Sequence, residues 1–495
     1  MNWPFFKISL SSLYFIFTPI LSAQEDALVA DSGFAAPALE NCNTDLRYLN
    51  QVVGWQARWP AQWKQVVRSG AQVSADSLSL WHGASQAILT TMGKLESSIG
   101  TSSMAPQPVV LRIQQQINEL STALSDTSSG YIFENPSTEN AKAWNMLVLS
   151  DIQSAVSRFK QFLSNQYLPV APISPALSDI ENGTACFQIA TKHWTTLDMT
   201  TDEFERIGHR LLEEKKAELL LTDEVGEGIS KILERLRAFS QINDTTRTQL
   251  IEISEKAIER ATKAAPLAFN QSPSHGIDVA ELPLYRQAGS PAGYYLARQG
   301  LGSGQYLINP SRPNERRLMA EVIAFHEALP GHHLWSAYPR KNESVGHNSG
   351  ILEGWAIYAE TLSDELGLYS TTLDRQGMIT KHLWAASRLV VEPGLHIHGW
   401  SRERAIQFML TNTVLSRTEI EIEVDRYIAM PGQSLSYMLG ANLIHVEREL
   451  AKKLLDEDFN LKLFHDIVVV PGVRPLPELR ADIRDWARNA KVNHH

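Results

Sequence analysis

Apolar residues spaced three and four apart, over much of the chain, constrain the fold more than any other feature. In 203–222 (EFERIGHRLLEEKKAELLLT) and 246–264 (TRTQLIEISEKAIERATKA) they recur at helical spacing. Each segment therefore carries one apolar stripe that needs other helices to bury it. Ser- and Thr-rich connectors interrupt the pattern, as in GTSSMAPQP at 100–108 and SDTSSG at 125–130. β signals are few: GYYLA (293–297) and GQYLINP (304–310), two aromatic-rich runs joined by a glycine-rich connection, predict a hairpin. The expectation is a mainly α protein with a small β element near residues 290–310.

Composition shifts near 265–290, after which Gly, Pro, His, Trp and Tyr concentrate. Residues 24–275 read as a helical scaffold and 276–495 as the region carrying chemistry, the two not necessarily separable. The first 23 residues, MNWPFFKISLSSLYFIFTPILSA, have one lysine, an apolar run and small residues at Ser22 and Ala23. They read as a secretory signal peptide cleaved after Ala23, which implies a secreted or periplasmic protein with no permanent membrane span. No cysteine follows the small residues, which argues against a lipid anchor. The formal net charge is −10 with no basic block, so nucleic-acid and anionic-membrane binding are not expected. Cys42 and Cys186 are the two cysteines; a single disulfide and two buried thiols are both open readings.

The stretch FHEALPGHHLW (325–335) begins like the zinc-peptidase motif H-E-x-x-H. Pro330 stands where the second histidine belongs, and His332 and His333 arrive late. Residues 314–329 predict a helix, capped by Ser311 or Asn314, with His326 and Glu327 on its last turn. In an unbroken helix a residue six or seven places on lies roughly 9–10 Å along the axis, too far to share an ion. Pro330 opposes a regular helix, and Gly331 permits a turn that folds a later histidine back. A second element, ILEGWAIYAE (351–360), puts Glu353 and Glu360 seven apart on one helical face. A carboxylate there suits a third zinc ligand, with Glu360 accepting from a ligand histidine's other N–H.

EGWAIYAE is similar to the N-E-G-F-A-x-Y-x-E segment of gluzincins of the aminopeptidase N type. In order, H-E-x-x-P-G-H-H, E-G-W-A-x-Y-x-E, GLHIHGWSRERAI and EVDRYIAMPGQSLSYMLG resemble the bacterial family named domain of unknown function 885, over roughly residues 290–450. The resemblance implies a largely helical, gluzincin-like metallopeptidase. The family's usual aspartate and threonine before its G-x-H are here Glu392 and Pro393. Carried onto this chain, it implies one zinc ion on His326 and Glu353, with Glu327 as general base. The second histidine is His332, with His333 as the alternative.

His396 and Tyr427, in the downstream motifs, are the expected oxyanion stabilisers. Arg426 and Tyr437 are expected to bind substrate, Arg426 through a carboxylate. Tyr294 and Tyr295 lie on a strand whose edge an extended peptide could join. Arg426 paired with Asp425 or Glu423, and Tyr427 packed beside it, would look identical in sequence. His275 reads as an ordinary core or surface histidine. RTEIEIEVDRY (417–427) alternates like a strand, although the resemblance implies helix. The expected function is hydrolysis of short peptides by zinc-activated water. The alternatives are a zinc amidase acting on a non-peptide or cell-wall substrate, and a silent cleft-binding protein, against which the retained Glu327 argues.

Overall fold

The computed structural model describes residues 46, 49–68, 73–223, 225–282, 287, 291–297, 302–340 and 348–493. The signal segment, Cys42, His347 and most of the glycine-rich connection before residue 302 lie outside them. The protein is 71% helical with one three-stranded sheet among the described residues, a mainly α fold. No described helix is long and apolar enough to cross a membrane.

The chain forms two compact units. Among the described residues, the first holds those of 44–105 and 110–171, and the second those of 106–109 and 172–495. Residues 172–275 thus belong with the chain that follows them. In the first unit, Trp55, Trp59 and Trp63 recur every four residues on α1 (Trp55–Arg68) and share one buried face. Trp81 of α2 (Ala75–His82) meets Trp59 and Trp63 at 5.7 and 5.8 Å, and Phe159 of α3 (Gln153–Phe162) meets Trp55 edge-on at 5.4 Å. This core is aromatic and edge-to-face, the geometry ring quadrupoles favour.

The second unit begins with α4 (Gly183–Thr195), whose buried Cys186 is disulfide-bonded. Then come α5 (Thr201–Leu220) and α6 (Arg247–Ala268), each started by a Thr capping box. The sheet follows: β1 (Ile277–Glu281), β2 (Gly293–Leu296) and β3 (Gly304–Ile308), in the order β1-β3-β2. β2 and β3 pair antiparallel as the sequence predicts, whereas β1, pairing parallel to β3, went unread. Its sequence IDVAE is short and none of its residues is fully buried, too weak a signal to stand out.

Six of the helices that follow bear on the site: α7 (Ala320–Glu327), α8 (His332–Ala337), α9 (Ser349–Glu365), α10 (Thr372–His396), α11 (Arg417–Ala429) and α12 (Leu435–Leu455). The helix expected over 314–329 is broken. Arg312 adopts φ 55°, Pro313 starts a four-residue turn, and residues 317–319 tighten to a 3-10 turn before α7 begins. α11 is helical despite its alternation, because Ser416 and Glu419 form a capping box and Ile420, Val424 and Ile428 share a buried face. α10 is buried from Gln376 to His396 at every residue but Trp384. A helix enclosed on all sides shows no amphipathic stripe, and its polar residues must find partners inside the protein. α9 packs on α12 at a contact of glycines. A Cβ on Gly354 would meet Gly440 at 2.6 Å, and one on Gly440 would meet the Gly350 carbonyl at 1.9 Å. Glu353 and Tyr437 lie near this crossing.

Candidate metal centre

The break after α7 supplies the geometry that the late histidines need. Pro330 cannot donate a helical hydrogen bond, and the chain turns so that the Gly331 N–H donates to the Phe325 carbonyl at 3.0 Å. A Cβ at Gly331 would lie 1.9 Å from the His326 carbonyl oxygen, so no larger residue fits. The His333 N–H then donates to the Ala328 carbonyl at 3.1 Å. α8 therefore starts beside the turn it has just left, and His332 comes back to His326, their rings perpendicular with centroids 4.8 Å apart.

His326, His332 and Glu353 each offer one donor atom, and all three atoms lie within 4.8 Å of one another. Glu353 Oε2 is 3.4 Å from His326 Nε2 and 3.6 Å from His332 Nε2. Two donors each about 2.1 Å from a tetrahedral ion stand about 3.4 Å apart, so the spacing fits a zinc-sized ion. Two imidazoles and a carboxylate are also a donor set that zinc accepts. His333 points elsewhere: its Nδ1 lies 3.2 Å from the Tyr295 hydroxyl, and its ring meets His275 edge-on at 5.3 Å. Burial, followed by His275, lowers the His333 imidazole to about 4. His275 is thus a neighbour of the site, which its sequence context did not reveal.

Glu360 lies under His326. Its Oε1 is 2.6 Å from His326 Nδ1, and its Oε2 accepts from His382 Nε2 at 2.9 Å. Lys381 Nζ donates to the same Oε1. With Nδ1–H donating to a carboxylate, the neutral form of His326 has its lone pair on Nε2, the ring nitrogen facing Glu353. Burial opposes ionisation of Glu360, but Lys381, His326 and His382 outweigh it and hold the carboxyl well below the usual range. Burial and Lys381 push the His326 imidazole down, while Glu353, Glu360 and Glu327 raise it overall to about 9. These carboxylates favour a cation at this position, whether a proton or a metal. Lys381 and His382 were missed in the sequence. The available signal was a Lys-His pair inside the apolar run MITKHLWAASRLVV, where a buried charge needs a partner.

Glu327 is 8% exposed. Its Oε2 accepts from the Tyr295 N–H at 2.9 Å, which ties the end of α7 to strand β2. Burial raises its carboxyl above the ordinary range, against the pull of His326 and His332. Tyr295 thus touches the site through its backbone as well as its ring. Tyr294, its neighbour on β2, stands opposite Leu307 in the sheet, half-buried.

The downstream motif residues divide. His396 and Tyr427, expected at an oxyanion, are committed inside the protein. His396 is fully buried, its Nε2 donates to the Tyr427 carbonyl at 3.0 Å, and its ring lies 5.2 Å from Phe187. Burial holds its imidazole down at about 4. The Tyr427 hydroxyl accepts from Trp384 Nε1 at 3.0 Å and Arg388 Nε at 3.1 Å, with 1% of the residue exposed. Both positions secure α10 against α11. Arg426 takes the internal partner its sequence allowed, holding Glu423 at 2.7 Å and Gln433 at 2.6 Å. Tyr437 is half-buried; burial and then Glu353 push its phenol up to about 12, which places it in the electrostatic reach of the cluster. Glu392, the departure from the family pattern, is fully buried. It accepts from the backbone N–H of Gly432 and Ser434 and from the Ser434 hydroxyl, so it anchors the loop that leads to Tyr437.

A family model described as a bacterial protein of unknown function (DUF885) matches residues 34–483, and the chain belongs to that family. The crystal structure of a candidate lipoprotein from Colwellia psychrerythraea superposes with a TM-score of 0.74 at 23% identity, covering 89% of this chain and 80% of that one. A candidate lipoprotein of unknown function from Shewanella oneidensis superposes with a TM-score of 0.65 at 16% identity, covering 94% and 93%. At these identities the likeness is one of fold. No curated protein matches.

Proposed function

We propose that this protein is an extracytoplasmic zinc-dependent peptidase, with His326, His332 and Glu353 as the ligands of one zinc ion. The observation that carries the reading is the donor spacing: Glu353 Oε2 at 3.4 and 3.6 Å from two imidazole nitrogens. When bound, zinc supplies a Lewis acid for the scissile carbonyl and acidifies water toward a pKa of about 7.

The chain's own groups do the rest. Glu327, oriented by the Tyr295 N–H, takes the proton of the attacking water and passes it to the leaving amine. Its raised carboxyl suits it to both halves of that exchange near neutral pH. Glu360, braced by Lys381 and His382, fixes the tautomer of His326. Tyr437, coupled to Glu353 and bonded by Gln433, is the phenol assigned to the oxyanion in place of Tyr427. β2 is one of the two edge strands of the sheet, and an extended peptide beside it would run past Glu327.

Two features support the compartment. The first 23 residues have the pattern of a cleaved signal peptide, and the two solved relatives are described as candidate lipoproteins. The test of the chemistry is Glu327→Gln in the full chain. The expected result is turnover of peptides reduced by roughly 10²–10⁴-fold with zinc content unchanged; undiminished turnover contradicts the mechanism.

A further inference from the structure

Tyr437, which feels the charge of Glu353, also feels that of a second charged group that the proposed reaction leaves unused. Arg426 of α11 holds Glu423 through Nε and Nη2, at 3.3 and 2.7 Å, and Gln433 through Nη1 at 2.6 Å. Arg388 of α10 reaches the same Glu423 oxygen at 3.5 Å, and its Nε donates to the neutral Tyr427 hydroxyl. Two guanidinium ions thus share one carboxylate.

Glu392 adds a further acid in the electrostatic reach of Arg426, but its oxygens are already taken up by Gly432 and Ser434. Burial opposes its ionisation and holds its carboxyl up at about 7. Two guanidinium ions on one bonded carboxylate keep N–H donors that a second anion can take.

The geometry leaves donors for that anion. A guanidinium has five N–H donors. Among the described residues, Nη1 of Arg388 has no protein partner, and Arg426 retains N–H groups beyond its three bonds. Trp384 and Tyr437 flank Arg388, 4.3 and 4.7 Å from its guanidinium carbon, and hold its plane in place. The side chain of Arg426 is 17% exposed against 5% for Arg388, so Arg426 is the one a ligand meets. Tyr437 connects this group to the metal cluster, since it interacts electrostatically with Arg388, Arg426 and Glu353 alike. Its helix is pinned there by the Ser349–Ser436 hydroxyl pair at 2.7 Å.

We propose that Arg426, backed by Arg388, forms a carboxylate subsite beside the metal cluster, and that the peptides bound are those presenting a free carboxyl end to it. As a statement of substrate class this rests on the peptidase reading; as a binding site it does not. An acidic side chain carries the same chemistry, so the experiment separates the two sources.

The full-length protein is treated with chelator, which removes both turnover and any direct coordination of the ligand. It is then titrated calorimetrically with an N-acetylated dipeptide acid, with its carboxyl-terminal amide, and with an amidated dipeptide ending in glutamate. The acid is expected to bind roughly tenfold or more tightly than the neutral amide, the difference charge-assisted bonds supply. Arg426→Gln should bring the two within about twofold, and Arg426→Lys should fall between. Recovery of affinity by the glutamate peptide upholds the carboxylate subsite but overturns its restriction to chain ends. Equal binding of acid and amide by the unmutated protein overturns the subsite, and needs no variant to fold. Turnover separates the two readings: zinc-loaded protein that cleaves acid and amide equally well keeps the peptidase and loses the subsite. A binding preference without any cleavage does the reverse.

Discussion

Two polar regions of the second unit make opposite use of similar residues. Around α7, α8 and α9, His326, His332 and Glu353 turn their donor atoms toward one another at distances too long for strong hydrogen bonds and right for a shared ion. At the α10–α11 contact, His396 and Tyr427 spend theirs on a backbone carbonyl, an indole and a guanidinium. Residue type does not distinguish the regions, since both carry histidine beside acids. What distinguishes them is whether the polar tips already have internal partners. A histidine whose Nε2 is bonded to a carbonyl holds the fold, whereas one whose Nδ1 is bonded to a carboxylate is poised to bind with Nε2.

The comparison can be broken most sharply with two tyrosines. Tyr437→Phe is expected to lower kcat by roughly 10²–10³-fold, the usual cost of one oxyanion donor, with zinc retained. Tyr427→Phe should leave kcat nearly unchanged and instead cost about 1–3 kcal/mol of stability, because Trp384 and Arg388 lose a buried acceptor. Steady-state kinetics and thermal unfolding on both variants check the pair, and an exchange of the two phenotypes would reverse the assignment.

Next in size is Glu360→Gln. Removing the carboxylate beneath His326 should weaken zinc affinity or activity by roughly 10–100-fold, measured by competition with a chromophoric chelator. His382→Phe perturbs that carboxylate from its far side and should do less. The smallest effect sharpens the electrostatic side. Without metal, His326 holds its proton up to about pH 9, while a ligand imidazole must be neutral. Zinc uptake at pH 7 should therefore release about one proton from this site, and affinity should rise by about tenfold per pH unit until pH passes the His326 value. Calorimetry in buffers of different ionisation enthalpy measures that release; uptake without it would mean that His326 is not a ligand.

The sequence disclosed the centre better than its surroundings, for physical reasons. Pro330 and Gly331 announce a chain reversal locally, and Glu353 and Glu360 share a face by helical period alone, so four residues of the site could be placed without tertiary information. The choice between His332 and His333 could not, because it depends on how α8 rotates against β2, where Tyr295 meets His333. Arg388, Lys381 and His382 were hidden for another reason. A helix buried all round offers no amphipathic pattern, and its charged residues look like exposed ones until their partners on α9 and α11 are known. The burial of His396 was hidden too, because motif position says nothing of exposure. The aromatic core of the first unit, by contrast, is written in the spacing of Trp55, Trp59 and Trp63 and needs little else.

The central claim is that the chain reversal at Pro330 builds a metal site from His326, His332 and Glu353. Elemental analysis of the purified full chain, alongside His332→Ala and His333→Ala, tests it most directly. The account predicts about one zinc per chain in the unmutated protein and in His333→Ala, and loss of zinc in His332→Ala. Protein that contains no zinc and takes up none when it is supplied, or that loses it on substitution of His333 rather than His332, would contradict it.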